Sequence, residues 1–243
     1  MYMTFKVVKV STSATDQPGV YQVLFNGDDR FFRSVEIHVT RDFGPNTLDF
    51  IEIYGLWCCL VWLELAGSGR TSRNLKIVVS RGAVKRLLLV TSSKEELYQF
   101  AYSLRTQFFG LNEISVEKGE EWTTQNHPGI SVKWNGEPPP QPSIDNPIFG
   151  KVFLTYHSAV EYLDETNGEC KEENVFARLS RLVRDADREA PLPDKEAGYK
   201  ARRYGSSQDG VRYLNNSAGW QIVVRPTENK DALVALTVYQ RQA

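Results

Sequence analysis

The segment between Gly136 and Pro147 constrains the fold of this chain more than any other stretch. It reads GEPPPQPSIDNP and holds five of the eleven prolines. Each proline lacks a backbone donor and pushes the residue before it out of the helical region, so the segment should be stiff, extended and solvated. We therefore predict two domains, residues 1–135 and 148–243, joined by a proline-rich linker at residues 136–147.

The composition is that of an ordinary soluble globular protein. The chain has 243 residues, of which 41% are hydrophobic and 24% charged, and this is enough for two modest domains. A net charge of −1 gives no overall attraction to nucleic acid or to an anionic membrane, so a nucleic-acid partner requires a local basic patch. The most apolar stretch, residues 48–66, is interrupted by Asp49, Glu52 and Glu64 and predicts a buried helix rather than a membrane span.

The cysteines favour a reducing compartment. Cys58 and Cys59 are adjacent and could bridge only with strain, and Cys170 makes the count odd, so no disulfide framework is expected. The first ten residues lack the apolar core and the cleavage site of a signal peptide. We expect a cytoplasmic protein with no membrane partner.

The first domain alternates strand and helix signals. Apolar and β-branched runs separated by turn residues predict strands, and a capping box at Ser93 to Glu96 predicts the start of a helix. The predicted order is β-β-β-α-β-α-α-β, a mixed sheet with helices packed on it. The predicted strands are residues 5–10, 20–25, 31–40, 75–79 and 114–117, and the predicted helices are residues 47–66, 81–90 and 93–108.

That order resembles the ribonuclease H-like fold, whose members hold two divalent ions with a cluster of carboxylates. Residues 11–13, STS, stand where the family carries its first aspartate, and Ser80 stands where another is expected. Glu52 is the one acid at a suitable position, and one acid cannot hold two magnesium ions. The resemblance therefore implies a non-catalytic domain that docks or recruits. A nuclease working through Glu52 and other acids is the alternative.

The second domain reads as two helices followed by an antiparallel meander. A possible strand at residues 151–156 leads into a short helix that starts near His157, and an apolar stripe predicts a helix over residues 172–189. The runs VRYLN, WQIVVRP and ALVALTVYQR are joined by connections short enough for hairpins. This layout predicts a small α+β unit of about a hundred residues.

The outer face of the longer helix is rich in arginine. Arg181 and Asp185 have the spacing of an ion pair one helical turn apart. We expect a solvated face on which opposite charges neutralise one another. The charged residues of this face are Arg178, Arg181, Arg184, Arg188, Asp185, Asp187 and Glu189.

The second domain resembles the small toxin ribonucleases related to RelE and barnase. The matching pieces are residues 156–159, YHSA, and residues 236–239, LTVY. The resemblance implies RNA cleavage without a metal or other cofactor, in which a base removes the ribose 2′-OH proton and an acid protonates the leaving oxygen. It gives RNA as the partner, together with a protein inhibitor or assembly partner as a further possibility.

The resemblance also assigns candidate residues. His157 is the candidate base or acid because imidazole titrates near neutrality. The other candidate catalytic residues are Arg212 and Arg225, facing phosphate, and Thr237 and Tyr239, which lie two apart on one strand face. The candidate RNA-binding residues are Lys200, Arg202, Arg203 and Trp220.

Each candidate also has a structural explanation. A histidine at the start of a helix is often a surface or capping residue, strand arginines pair with neighbours across a sheet, and Trp220 can belong to the core. His38, His127 and His157 are far apart and no metal-ligand spacing is present, so no metal site is predicted. The leading hypothesis is an RNA-binding or RNA-cleaving protein, and the alternative is a non-enzymatic subunit of a larger assembly.

Overall fold

The computed structural model describes residues 6–28, 31–69, 71–118, 129–190 and 210–240. The chain divides into two compact units, Met1–Pro140 (unit 1) and Gln141–Ala243 (unit 2). Each unit contains a mixed β-sheet and helices, so the predicted α+β class is confirmed. Every helix in the described residues is too short or too polar to cross a lipid bilayer.

Unit 1 begins with a three-stranded antiparallel meander. Its strands are β1 (Val7–Ala14), β2 (Val20–Gly27) and β3 (Phe31–Val39), close to the three predicted runs. Side chains alternate between the two faces of a strand, and Val8 and Val10 of β1 are buried while their neighbours are less so. The alternation therefore gives the meander an apolar face on which helices can pack.

Helices and parallel strands complete unit 1. Three further strands, β4 (Lys76–Val79), β5 (Ile114–Val116) and β6 (Gly129–Trp134), extend the sheet to the order β5-β4-β1-β2-β3-β6. β4 pairs in parallel with β1 and β5, and β6 pairs in parallel with β3. The first helix packs against β1, β2 and β3, so the core lies between it and the sheet. The helices are α1 (Thr47–Trp57), α2 (Gly82–Leu88) and α3 (Tyr98–Gln107).

The sequence analysis did not predict β6. Only Trp134 of this strand is buried, while Ile130 and Val132 are half-buried. The short alternation of apolar and polar residues is too weak a local signal to indicate a strand. β6 is a strand because it pairs with β3, which lies far earlier in the chain.

The predicted helix over residues 47–66 is shorter in the structure. α1 ends at Trp57, and a wider π-helical turn follows at Cys58–Trp62. Glu64 then has a φ of 51°, a left-handed conformation that ends the helical path. α1 is buried on several sides, as its apolar sequence predicted, and Ile51 and Ile53 are completely inaccessible.

The predicted capping box at the start of α3 is not formed. A 3-10 turn at Glu95–Leu97 precedes the helix, and neither turn nor helix has a side-chain N-cap. Instead the Ser92 hydroxyl accepts a hydrogen bond from the Lys94 amide at 3.1 Å. The Lys94 side chain donates to Asp49 of α1 at 2.7 Å, which connects the residues before α3 to α1.

Unit 2 contains six strands: β7 (Ser143–Asn146), β8 (Gly150–Phe153), β9 (Arg188–Glu189), β10 (Arg212–Asn215), β11 (Trp220–Pro226) and β12 (Leu233–Gln240). They form one sheet in the order β7-β8-β12-β11-β10-β9. The three predicted runs form the antiparallel meander β10-β11-β12, and β8 joins it in parallel with β12. α4 (Tyr156–Glu165) packs on β12, and α5 (Val175–Arg184) packs on α4 and β7.

The proline-rich segment is not a solvated linker over its whole length. Its last part forms β7, which pairs with β8, and Pro142 is buried. The Asn146 side chain donates to the carbonyl oxygens of Val183 and Ala186, each at 2.8 Å. Pro142 and Pro147 flank β7 and leave its pairing with β8 intact. The segment therefore supplies a strand and a buried amide to unit 2.

The second helix of unit 2 is also shorter than predicted. α5 ends at Arg184, and the following residues leave the helix to form β9. The amide of Asp187 donates to the carbonyl of Asn215 at 2.9 Å. Pairing with β10 therefore replaces the last predicted helical turn.

Gly55 provides a test of how closely α1 packs on the sheet. A Cβ atom on Gly55 would lie 2.7 Å from Cγ1 of the completely buried Val23. Gly55→Ala should therefore lower the free energy of unfolding by about 1–2 kcal/mol, although alanine favours a helix. Urea denaturation followed by circular dichroism measures the change.

Gly82 in α2 is the matched control. A Cβ atom there meets only the flexible end of Arg86, at 3.6 Å. Gly82→Ala should leave stability unchanged or raise it by up to about 1 kcal/mol. If the two substitutions change the free energy of unfolding equally, the close contact between Gly55 and Val23 does not prevent a larger side chain in α1.

Candidate functional site

A buried polar cluster in unit 1 occupies the place where the sequence analysis looked for metal-binding acids. Glu52 of α1 is completely buried. Its Oε2 accepts a hydrogen bond from the Ser80 hydroxyl, and its Oε1 accepts one from the Arg81 amide at 2.9 Å. β4 ends immediately before Ser80, so the end of this strand supplies both donors.

A second acid of the same helix completes this cluster. Asp49 is buried, and its carboxylate accepts from Arg81 Nε and from Lys94 Nζ, the latter at 2.7 Å. Lys94 also donates to the Asn46 side chain. Burial acts to raise the pKa of Asp49, but the hydrogen bonds and charges of Lys94 and Arg81 outweigh it and hold that pKa below its usual value.

Glu52 shows the opposite balance. Burial raises its pKa to about 7, and the hydrogen bonds from Ser80 and the Arg81 amide only partly oppose the rise. The carboxylate oxygens of this cluster therefore accept hydrogen bonds from the Ser80 hydroxyl, from the amide and side chain of Arg81, and from Lys94. In the described part of the chain, no group of three or more histidine, cysteine, aspartate or glutamate side chains is arranged to hold a metal ion.

The raised pKa of Glu52 predicts a pH-dependent stability. Between the ordinary carboxyl pKa and about 7 the folded protein binds more protons than the unfolded chain, so stability falls as pH rises through this range. The loss between pH 5 and pH 8 should be about 3 kcal/mol. Glu52→Gln removes the titration and should have a flatter profile, measured by urea denaturation at the two pH values.

Glu95→Gln is a control for this measurement, because Glu95 is exposed. Its stability should follow the wild-type pH profile. If Glu52→Gln retains the same difference between pH 5 and pH 8 as the wild type, the fall has another origin.

In unit 2, two of the predicted catalytic residues, His157 and Thr237, contact the same carboxylate, that of Glu161. His157 Nε2 lies 3.6 Å from Glu161 Oε1, one helical turn away on α4. The Thr237 hydroxyl of β12 donates to Glu161 Oε2 at 3.4 Å. The side chains of His157 and Glu161 are 66% and 39% exposed, so both are accessible to a solute.

The position of α4 explains this meeting. The Thr155 side chain, not His157, caps the helix, in a capping box with Ser158. The Thr155 hydroxyl also donates to the Ala235 carbonyl at 2.9 Å, and the Gln240 amide donates to Glu165 at 3.3 Å. α4 is thereby attached along β12, beyond the residues that pair with β8.

Tyr239 lies in a different hydrogen-bond network. Its hydroxyl donates to Gln221 Oε1, and Gln221 Nε2 donates to Asn215 Oδ1 at 2.8 Å. Gln221 is completely buried. The three residues are opposite one another on β12, β11 and β10, so they share one face of the sheet.

Arg212 is committed to another partner. Its Nε and Nη2 both donate to one oxygen of Glu189 on β9, Oε2, at 3.0 Å and 2.7 Å. The hydrogen bond to Glu189 raises the pKa of Arg212. Arg212 precedes Asn215 by three residues on β10, so it faces the side opposite to Tyr239.

The remaining candidates are dispersed. Arg225 is exposed on β11, opposite Val234. Trp220 begins β11 and is half-buried, with its ring 5.0 Å from that of Tyr162. Lys200, Arg202 and Arg203 lie outside the described residues.

The structure thus brings together His157 and Thr237 but not Arg212, Arg225 or Tyr239. It does so through Glu161, which the sequence analysis did not select. The spacing of four residues between His157 and Glu161 on a helix was the available signal. No family model, curated protein or solved structure matches this chain.

Proposed function

We propose that unit 2 binds RNA and cleaves it without a metal ion, with Glu161 as the general base and His157 as the general acid. The observation that carries this proposal is the exposed imidazole and carboxylate, 3.6 Å apart on α4. Catalysis by proton transfer requires two such groups within reach of one substrate. Both lie at the helix surface, so a phosphodiester can approach them from solvent.

The proposed chemistry is an internal transesterification. Glu161 takes the proton of the ribose 2′-OH, and the 2′ oxygen forms a bond to the adjacent phosphorus. The bond from phosphorus to the 5′ oxygen breaks, and protonated His157 gives its proton to that oxygen. The products are a 2′,3′-cyclic phosphate and a free 5′-hydroxyl group, so atoms and charges balance without an added reactant.

Thr237 is proposed as a positioning residue. Its hydroxyl holds one oxygen of Glu161 and leaves the other toward His157. The attachment of α4 to β12 through Thr155 keeps the helix in register with Thr237. The negative charge that builds on phosphorus requires a cation, and Lys200, Arg202 and Arg203 remain the candidates from the sequence.

We infer a docking role for unit 1. The strand order β3-β2-β1-β4-β5, with β1, β4 and β5 parallel, supports the resemblance to the ribonuclease H-like fold. Asp49 and Glu52 are already bound by protein donors, which favours a non-catalytic role. The buried free cysteines Cys58, Cys59 and Cys170 favour a cytoplasmic location.

A second candidate is a non-enzymatic interaction subunit. The observation that favours it is the ion pair of Arg212 with Glu189, because a guanidinium that already donates twice to a carboxylate is less available to phosphate. RNA cleavage and RNA retention assays separate the two candidates.

The test is cleavage of a labelled single-stranded RNA with and without EDTA. Wild-type cleavage should resist EDTA and yield a 2′,3′-cyclic phosphate. His157→Ala and Glu161→Gln should each lower the rate by about a hundredfold or more, and Thr237→Val by about tenfold, because a positioning contact is lost.

Asp164→Asn is the matched control, since Asp164 is an exposed acid on the same helix. It should cleave at the wild-type rate. Cleavage that survives both the His157 and the Glu161 substitution would overturn the assignment, and cleavage abolished by EDTA would indicate a metal-dependent site. A protein that neither cleaves nor retains RNA would support the interaction subunit.

A further inference from the structure

Three arginines form one exposed row on α5. Arg178, Arg181 and Arg184 are all exposed, while Leu179 and Val183 on the other side of the helix are buried. Residues three apart are neighbours on a helix surface, and a row of this length spans about 9 Å along the axis. We call these three residues the α5 arginine row.

The α5 arginine row lacks the acidic partners that the sequence analysis expected. Asp185 has the spacing to pair with Arg181, but no ion pair joins any arginine of the row to a carboxylate within the described residues. The nearby Arg188, in contrast, lies 3.9 Å from Asp187. Of the charges expected on this face, Arg188 and Asp187 are paired, whereas the three arginines of the row form no ion pair with a described carboxylate.

Helix stability explains this row only in part. Cations near a helix C-terminus interact favourably with the helix dipole, which accounts for Arg181 and Arg184 in the last turn. It does not account for Arg178, and neighbouring like charges destabilise a helix. Exposed guanidinium groups that lack acidic partners are suited to bind phosphate oxygens in pairs.

The α5 arginine row meets an aromatic pair at its N-terminal end. The positive charge of Arg178 acts on the Tyr162 phenol, and the centre of the Tyr162 ring lies 5.0 Å from that of Trp220. Burial raises the pKa of Tyr162, and the charges of Arg178 and Arg181 oppose the rise. α5 packs on α4, the helix that carries Glu161, so the row and the proposed cleavage site lie on neighbouring helices.

We propose that the α5 arginine row binds the backbone phosphates of single-stranded RNA, with Trp220 beside it as a surface for a base. This inference rests on the proposed function of unit 2 and names its substrate-binding surface. Positively charged grooves flanked by aromatic rings bind single strands with little sequence preference. Binding should therefore depend strongly on salt and weakly on base sequence.

The test measures binding apart from cleavage. The probe is a fluorescein-labelled twelve-nucleotide RNA with 2′-O-methyl riboses, which lacks the attacking hydroxyl group, and binding is followed by fluorescence anisotropy over a range of salt concentrations. The double substitution Arg178→Gln, Arg181→Gln should weaken binding by about tenfold and lower the salt slope by about 1.4. Asp164→Asn, at an exposed position with no role in the proposed site, should bind as the wild type does.

The matched control is the double substitution Lys151→Gln, Lys171→Gln. Both lysines are exposed in unit 2, so this variant loses the same charge elsewhere. It should bind the probe within about twofold of the wild type, because the general charge of the unit contributes little. Circular dichroism and thermal melting confirm that each variant is folded.

The outcomes separate this inference from the proposed function. Equal losses of RNA affinity in the two double variants, or no loss in the arginine variant, would overturn the proposal that the α5 arginine row binds RNA. Neither result would affect the proposed cleavage at His157. A wild-type protein that does not bind the RNA probe overturns both. Arginine-dependent binding of a polyglutamate peptide at equal affinity would instead indicate an acidic protein partner and overturn the RNA assignment.

Discussion

The buried carboxylates of α1 impose a constraint on which much of unit 1 depends. A carboxylate removed from water must be protonated or provided with donors. Glu52 meets this requirement through the end of β4, and Asp49 meets it through Arg81 and Lys94. Since these donors come from different elements, the network joins α1 to β4 and to the start of α3, and the same contacts occupy oxygens that a metal ion would need.

In unit 2, the buried side chains that need hydrogen-bond partners include uncharged amides. Asn146 satisfies carbonyl groups at the end of α5 and draws the proline-rich segment into the sheet. Gln221 lies between Tyr239 and Asn215. The polar groups inside unit 2 thereby fix its strands and hold Tyr239, while His157 and Glu161 lie at the surface, where a substrate can reach them.

The sequence predicted the elements that depend on interactions between neighbouring residues, and it missed those that depend on contacts far apart in the chain. β1 to β5 and the meander of unit 2 were predicted, because side-chain alternation and turn residues are local signals. β6, β7 and β9 were missed, since each is a short run that becomes a strand by pairing. His157 and Thr237 were selected from the sequence, but Glu161 was not. Its spacing from His157 was a local signal, whereas its contact with Thr237 spans 76 residues.

The sequence by itself determined the α+β class, most of the strands and helices, and the kinds of side chain available for chemistry. Local propensity and hydrophobic period are properties of neighbouring residues, so one chain suffices to reveal them. Only the tertiary structure decided which polar groups are used internally and which remain accessible. Arg212 was assigned to Glu189, whereas Arg178 and Arg181 were left without acidic partners among the described residues. Such pairing depends on how distant elements pack together, because the interaction between two charges depends on their distance in the folded protein.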